Sequence, residues 1–265
     1  MIVIDTLIYS LVLAVFVGVS SGYLGSLMVL EKMALVGDAL SHVALPGLAI
    51  GIIFSFNPYI GAFAFLFISA VIIWHIQRVT KISFEALVGA MFTLALAIGI
   101  IIFPSGTDAL EAALFGDIAQ ITLVNAVVAG IISVLAVLLT KIIYQKLVLA
   151  MISEDLAISK GINVARTNLL YLFLVSLTVA IGIQIVGTLL VGFLVIVPAI
   201  ASKNLSSDMR RYSWLSAIFG AIAAFTGILI SGLLDLKQPG AIVVFAGIAI
   251  FVVSVVINWR LKLSR

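Results

Sequence analysis

Charged residues and turn formers divide this chain into nine apolar stretches, near residues 4–30, 33–54, 58–77, 84–103, 118–140, 168–186, 188–201, 213–233 and 240–258. Most approach the ~20 residues a helix needs to cross a hydrocarbon core of ~30 Å. They are too long for barrel strands and lack a strand's alternation. In lipid only helices and closed barrels satisfy every backbone polar group. The pattern predicts an all-α fold, a polytopic transmembrane helical bundle of about eight or nine spans.

The segment 168–201 carries no charge. As one helix it would be about 50 Å long, well beyond the bilayer core. Arg166 and Lys203 flank it, so both ends belong on one face. A hairpin turning at Val186, Gly187 and Thr188, with at least one short limb, meets both conditions.

Orientation follows from the basic residues, which favour cytoplasmic loops. With nine spans and a cytoplasmic C-terminus, the inner loops collect Lys32, Arg78, Lys81, Lys141, Lys146, Lys160, Arg166, Lys203, Arg210, Arg211, Arg260, Lys262 and Arg265. Of the 14 basic residues only Lys237 then lies outside. Pro58, Pro104 and Pro239 fall in outer loops, and the N-terminus is placed outside. The first apolar stretch has no basic segment before it and reads as a retained span, not a cleaved signal.

Composition agrees. The chain is 64% hydrophobic and 9% charged, whereas soluble domains are roughly half apolar and a quarter charged. Lipid must therefore be its solvent. The net charge of +3 involves no basic run of the kind that binds nucleic acid. Without cysteine there is neither a disulfide framework nor a thiolate metal site.

The second stretch contains MALVGDALSHVALPG, residues 33–47. Asp38 and His42, four residues apart, share one helix face a turn apart. Carboxylate and imidazole together suit a divalent cation. Ionisable groups inside a span cost a few kcal/mol and usually mark an ion or substrate path. The bland alternative pairs them with each other or with a neighbouring helix. Two ligands are too few for a tight site, but two copies of the span would supply two Asp and two His at a central pathway. His75 (beside Gln77 and Arg78) and Glu85 (four residues after Lys81) read as interfacial. Asn125, Thr178, Gln184 and Thr188 either line a path or bond between helices, and Pro198 is expected to bend its helix.

Two connections are long enough for structure of their own. The outer one, 104–117, holds Asp108, Glu111 and Asp117; the inner one, 141–167, holds a short amphipathic stretch. There Ser153 is placed as a helix N-cap, with Glu154 and Asp155 in the first turn, Lys160 near the last, and Gly161 as the stop. This helix is either a docking element for another protein or a solvated connector. No phosphate-binding Gly-x-x-x-x-Gly-Lys-Ser/Thr loop occurs, so any ATPase must be a separate chain.

The block at 33–51, MALVGDALSHVALPGLAIG, resembles the signature of the ABC-3 permeases, the membrane subunits of prokaryotic manganese, zinc and iron importers. Leu114, Phe115, Gly116 and Asp117 resemble that family's LFG element, and Ser153, Glu154, Asp155, Ala157 and Gly161 its cytoplasmic coupling segment. VGTLLV at 186–191 with Pro198 and Ala199, and Asp235 with Pro239 and Gly240, also resemble family blocks. The resemblance implies a single transmembrane permease domain over 1–265, multi-pass in the plasma membrane, and no enzyme of its own. It implies a homodimer in membrane lipid, with cytoplasmic ATP-binding subunits and an extracytoplasmic metal-binding protein. No cofactor is bound permanently; a manganese, zinc or iron ion passes through. Asp38 and His42 are the implied metal-coordinating pair, and Glu154 to Gly161 the segment that seats on the ATPase.

Two other classes were weighed. A gradient-driven secondary transporter or channel could use Asp38 and His42 as a proton relay, but would not need a coupling helix. An intramembrane protease would want a denser site, and no His-Glu-x-x-His occurs.

Overall fold

A computed structural model of the chain describes residues 4–31, 34–80, 82–103, 108–236 and 238–263. Its α-helices are α1 (Ile4–Leu30), α2 (Ala34–Val43), α3 (Leu45–Ile53), α4 (Pro58–Val79), α5 (Phe84–Ile102), α6 (Asp108–Phe115), α7 (Leu123–Ile152), α8 (Glu154–Ser159), α9 (Val164–Val186), α10 (Val191–Lys203), α11 (Met209–Leu233) and α12 (Pro239–Leu263). A single 3₁₀ turn, Ile118–Gln120, precedes α7. No strand occurs among the described residues. Lys32, Lys81, Pro104, Lys237 and Arg265, used above for orientation, lie outside them.

Among the described residues eight segments are long and apolar enough to cross a membrane. α2 and α3 together make one of them, Val36–Ile53. α10, at 13 residues, is the short limb of the expected hairpin. The turn lies at Gly187, whose φ of +78° suits glycine.

Three boundaries differ from the sequence reading. The stretch 33–54 is broken at Ala44, because Pro46 has no N–H to donate to the His42 carbonyl four residues back. The span expected at 118–140 starts at Leu123 and runs to Ile152. Lys141 and Lys146 end the apolar segment but not the helix, since a lysine ends a span without breaking helical hydrogen bonds. Similarly, α9 begins at Val164, capped by Asn163, whose side chain accepts from the Arg166 N–H at 3.0 Å.

α1 runs through the middle, packed against α7, α9, α10 and α11. Gly18 and Gly22, four residues apart, lie backbone to backbone against Gly220 and Ser216 of α11. Lipid offers no hydrophobic drive for helix association, so small residues and interhelical hydrogen bonds hold the bundle. The Ser26 and Ser213 hydroxyls sit 2.8 Å apart, and those of Ser20 and Ser133 3.2 Å. The Tyr171 hydroxyl donates to the Leu24 carbonyl at 2.8 Å. Ile100, Ile101, Val127, Ile131 and Phe245 remain exposed on the perimeter, where acyl chains would cover them.

Candidate functional site

α2 carries Asp38 and His42 on consecutive turns. Its span is 72% buried, yet the Asp38 side chain is exposed on the surface of the single chain. His42 is half-buried, and its Nδ1 is enclosed without a hydrogen-bond partner. Neither side chain forms a hydrogen bond among the described residues, with the other or with a neighbouring helix. His42 Nδ1 is thus left unsatisfied, which is costly for a buried polar atom unless a partner is supplied, while the Asp38 carboxyl lies within electrostatic reach of the imidazole.

Three helices hold the pair. Gly192 of α10 lies against Asp38 so closely that an added Cβ would stand 2.5 Å from Asp38 Cα. On the other side, the Phe92 ring of α5 meets the His42 ring edge-on, with centroids 5.3 Å apart and planes at 64°. Gly99, also on α5, faces the break itself, where its Cβ position is 3.2 Å from Leu45 Cβ and 3.8 Å from Pro46 Cδ. Beyond the break, Gly47 meets Gly61 of α4 backbone to backbone.

Among the described residues no group of three or more His, Cys, Asp and Glu could hold a metal ion. One copy therefore offers one carboxylate and one imidazole. Glu111 and His75 are exposed and remote in sequence from that pair, on α6 and at the end of α4. Arg78 stacks over Trp74 at 5.0 Å, and Glu85 sits exposed in the first turn of α5. Asn125 is engaged in the cap of α7, bonded to the Thr122 hydroxyl at 2.8 Å. Thr178 Oγ1, Gln184 Oε1 and Thr188 Oγ1 are buried and have no hydrogen-bond partner among the described residues.

One end of the bundle is tied by backbone contacts between two motifs. The Thr188 and Leu189 N–H groups donate to the Ala113 and Leu114 carbonyls at 2.9 and 3.1 Å. Asp117 N–H donates to the Gln184 carbonyl at 3.3 Å. Gly116, at φ +81°, presses on the Ile185 and Val186 backbone, and Gly187 presses on Leu114 and Phe115. α10, which backs Asp38, starts directly from this clasp.

At another place α8 forms as expected. Ser153 Oγ accepts from the Leu156 N–H at 3.2 Å, Glu154 and Asp155 stand exposed in the first turn, and Ala157 is fully buried. Gly161, at φ +76°, and Ile162 donate back to the Ile158 and Ala157 carbonyls at 2.8 and 3.0 Å, a Schellman close. Leu156 and Ile158 project outward, 45% and 57% exposed, which for a six-residue helix leaves an apolar knob facing away from the chain. Behind α8 opens a cavity of about 640 Å³ lined by Glu31, Trp74, Arg78, Glu154, Ile158 and Asn163. Burial alone pushes the Glu31 carboxyl, just past the end of α1, up to about 7.

A family model described as the ABC 3 transport family matches residues 3–258. The chain belongs to the ABC 3 transport family. Within reach of this family, the chain is 30% identical over 245 residues to the manganese transport system membrane protein MntC of Listeria innocua, covering 92% of this chain and 88% of that protein. It is also 30% identical over 242 residues to the high-affinity zinc uptake system membrane protein ZnuB of Haemophilus influenzae, covering 90% and 92%. A solved structure, PsaBC from Streptococcus pneumoniae in complex with Fab, superposes at a TM-score of 0.85 with 29% identity, over 98% of this chain and 95% of that one. Sequence reasoning located the Asp38–His42 face and the α8 cap. It missed Gly192, Phe92 and Glu31, for which the only signal was a lone glycine, an aromatic and an acid at span edges or within apolar runs.

Proposed function

We infer that this chain is the membrane-spanning permease subunit of an ATP-driven importer of divalent transition-metal ions in the plasma membrane of a bacterium. It is a transport component and not an enzyme. Lacking a phosphate-binding loop, it takes its energy from a separate ATPase chain, and α8 is the element offered to that partner: a capped, closed helix with Leu156 and Ile158 outward. An external metal-binding protein would deliver the ion to the opposite face, with the C-terminus cytoplasmic and the N-terminus outside. The relatives named for manganese and zinc support this class of cargo, and iron(II) shares its ligand chemistry.

The observation that carries the conduit is the exposed Asp38 carboxylate inside an otherwise buried span. An anion cannot be left facing acyl chains, so a second copy and the passing ion belong there. Two copies across a two-fold axis give two carboxylates and two imidazoles. α5, which packs on α2, is only 17% buried and exposes Ala86, Ala90, Thr93 and Ala97 at spacings of three and four residues. Small residues in that pattern let helices approach closely in lipid. The whole of 1–265 then acts as one transmembrane permease domain.

The test substitutes Asp38→Ala and His42→Ala singly and follows radiolabelled manganese(II) and zinc(II) uptake in cells carrying the ATPase and the binding protein. Each variant should reach the membrane in normal amount and lose uptake. Normal uptake by either would falsify the assignment of the pair.

A further inference from the structure

His42 has one nitrogen sealed inside the protein and no hydrogen-bond partner to hold its ring. A metal-binding imidazole ordinarily donates its second N–H to a carboxylate, carbonyl or water, which sets the rotamer of the ring. Here the contact that could do so is aromatic: Phe92, edge-on at 5.3 Å. Phe92 is itself held, half-buried and packed against the hydrophobic core. One turn further along the same side of α5, Ala95 is buried, and Gly99 seats against Leu45 and Pro46. α5 thus abuts α2–α3 both at His42 and at the break that follows it.

We propose that Phe92 is the positioning residue for His42: its ring, and not a hydrogen bond, fixes the imidazole so that Nδ1 stays buried and Nε2 is presented to the ion. This rests on the reading of Asp38 and His42 as the metal pair. Edge-to-face ring pairs are directional. Such a contact favours one orientation of the imidazole where no hydrogen bond sets it. A ligand held this way can also turn when α5 moves, without a hydrogen bond having to break.

The experiment compares Phe92→Leu, which keeps an apolar side chain and removes the ring, with Phe92→Tyr, which keeps the ring. Initial manganese(II) and zinc(II) uptake is normalised to the permease present in the membrane. Losing the support of a metal ligand typically costs about 10- to 100-fold. The Leu variant should therefore lose about tenfold or more, whereas the Tyr variant stays within about twofold of the unaltered protein. If the Leu variant does not reach the membrane, Phe92→Met replaces it with the same expected loss. Unimpaired uptake in the ring-less variant overturns the proposal, as do equal losses in the ring-less and Tyr variants, which would mark a packing role. His42→Ala run alongside separates the two ideas. Normal uptake there discards the metal pair, whereas its loss beside normal uptake in Phe92→Leu discards only the role of Phe92.

Discussion

Glycine 192 and aspartate 38 meet where α10 crosses α2, and the closeness of that crossing is possible because one partner has no side chain. It brings a helix backbone against the carboxylate-bearing turn, while Asp38 itself stays exposed. Glu31, seven residues before Asp38, shows another effect of environment on an acid. Its carboxyl titrates at about 7 in the fold against an ordinary 4.5, through desolvation in the cavity behind α8. Between those values the folded chain holds a proton that the unfolded chain has lost, so stability falls as pH rises through that window and levels off above it. Glu31→Gln cannot ionise. The melting temperature of the purified permease should drop less between pH 5 and pH 8 in this variant than in the unaltered protein, and an equal or larger drop would show that the fold places no such penalty on Glu31.

At the scale of elements, α8 is too short to stand by propensity alone, since isolated helices of this length are unstable in water. Three local devices hold it: the Ser153 cap, the acids of its first turn and the left-handed close at Gly161. Removing an N-cap hydroxyl costs about 1 kcal/mol. Ser153→Ala should loosen α8 and lower ATP-driven uptake several-fold, while the amount of permease in the membrane is unchanged. Ser153→Asp, which caps equally well, should restore it. Failure of the aspartate variant to rescue would mean that the hydroxyl acts in some other way. The break between α2 and α3 is a comparable device. A proline there frees the His42 carbonyl and ends α2 one residue past the imidazole, so His42 lies in the last turn of a short helix and Asp38 one turn before it.

For the whole molecule, the asymmetry of coverage matters most. α1 and α9 are enclosed, whereas α5 and α12 are largely bare, and bare faces in lipid are ordinary unless they carry a charge. α2, which packs on α5, does expose one, Asp38. Because the chain has no cysteine, a single introduced thiol reports its own neighbourhood. Thr93→Cys on α5 should form a disulfide-linked dimer on oxidation in native membranes, whereas Val127→Cys on the exposed side of α7 should stay monomeric. The reverse outcome would move the two-copy interface away from α5 and leave Asp38 without its second carboxylate.

Hydropathy alone determined that this chain spans a membrane as helices, because lipid leaves the backbone no other arrangement. The short-range features were legible for a similar reason: the i, i+4 spacing of Asp38 and His42, the Ser153 cap, the turn at Gly187 and the short limb after it all depend on residues near one another in sequence. Apolar runs could not show where helices extend past the bilayer, as α7 does, since a helix and a span end for different reasons. Nor could they show that the Thr178 and Thr188 hydroxyls are buried without a hydrogen-bond partner among the described residues. The support of Asp38 by Gly192 and of His42 by Phe92 joins residues 154 and 50 positions apart, and the same apolar periodicity admits many packings of the helices concerned. Only the tertiary arrangement, set by which small residues let which backbones touch, decided that Asp38 stays exposed while His42 keeps a buried nitrogen without a partner.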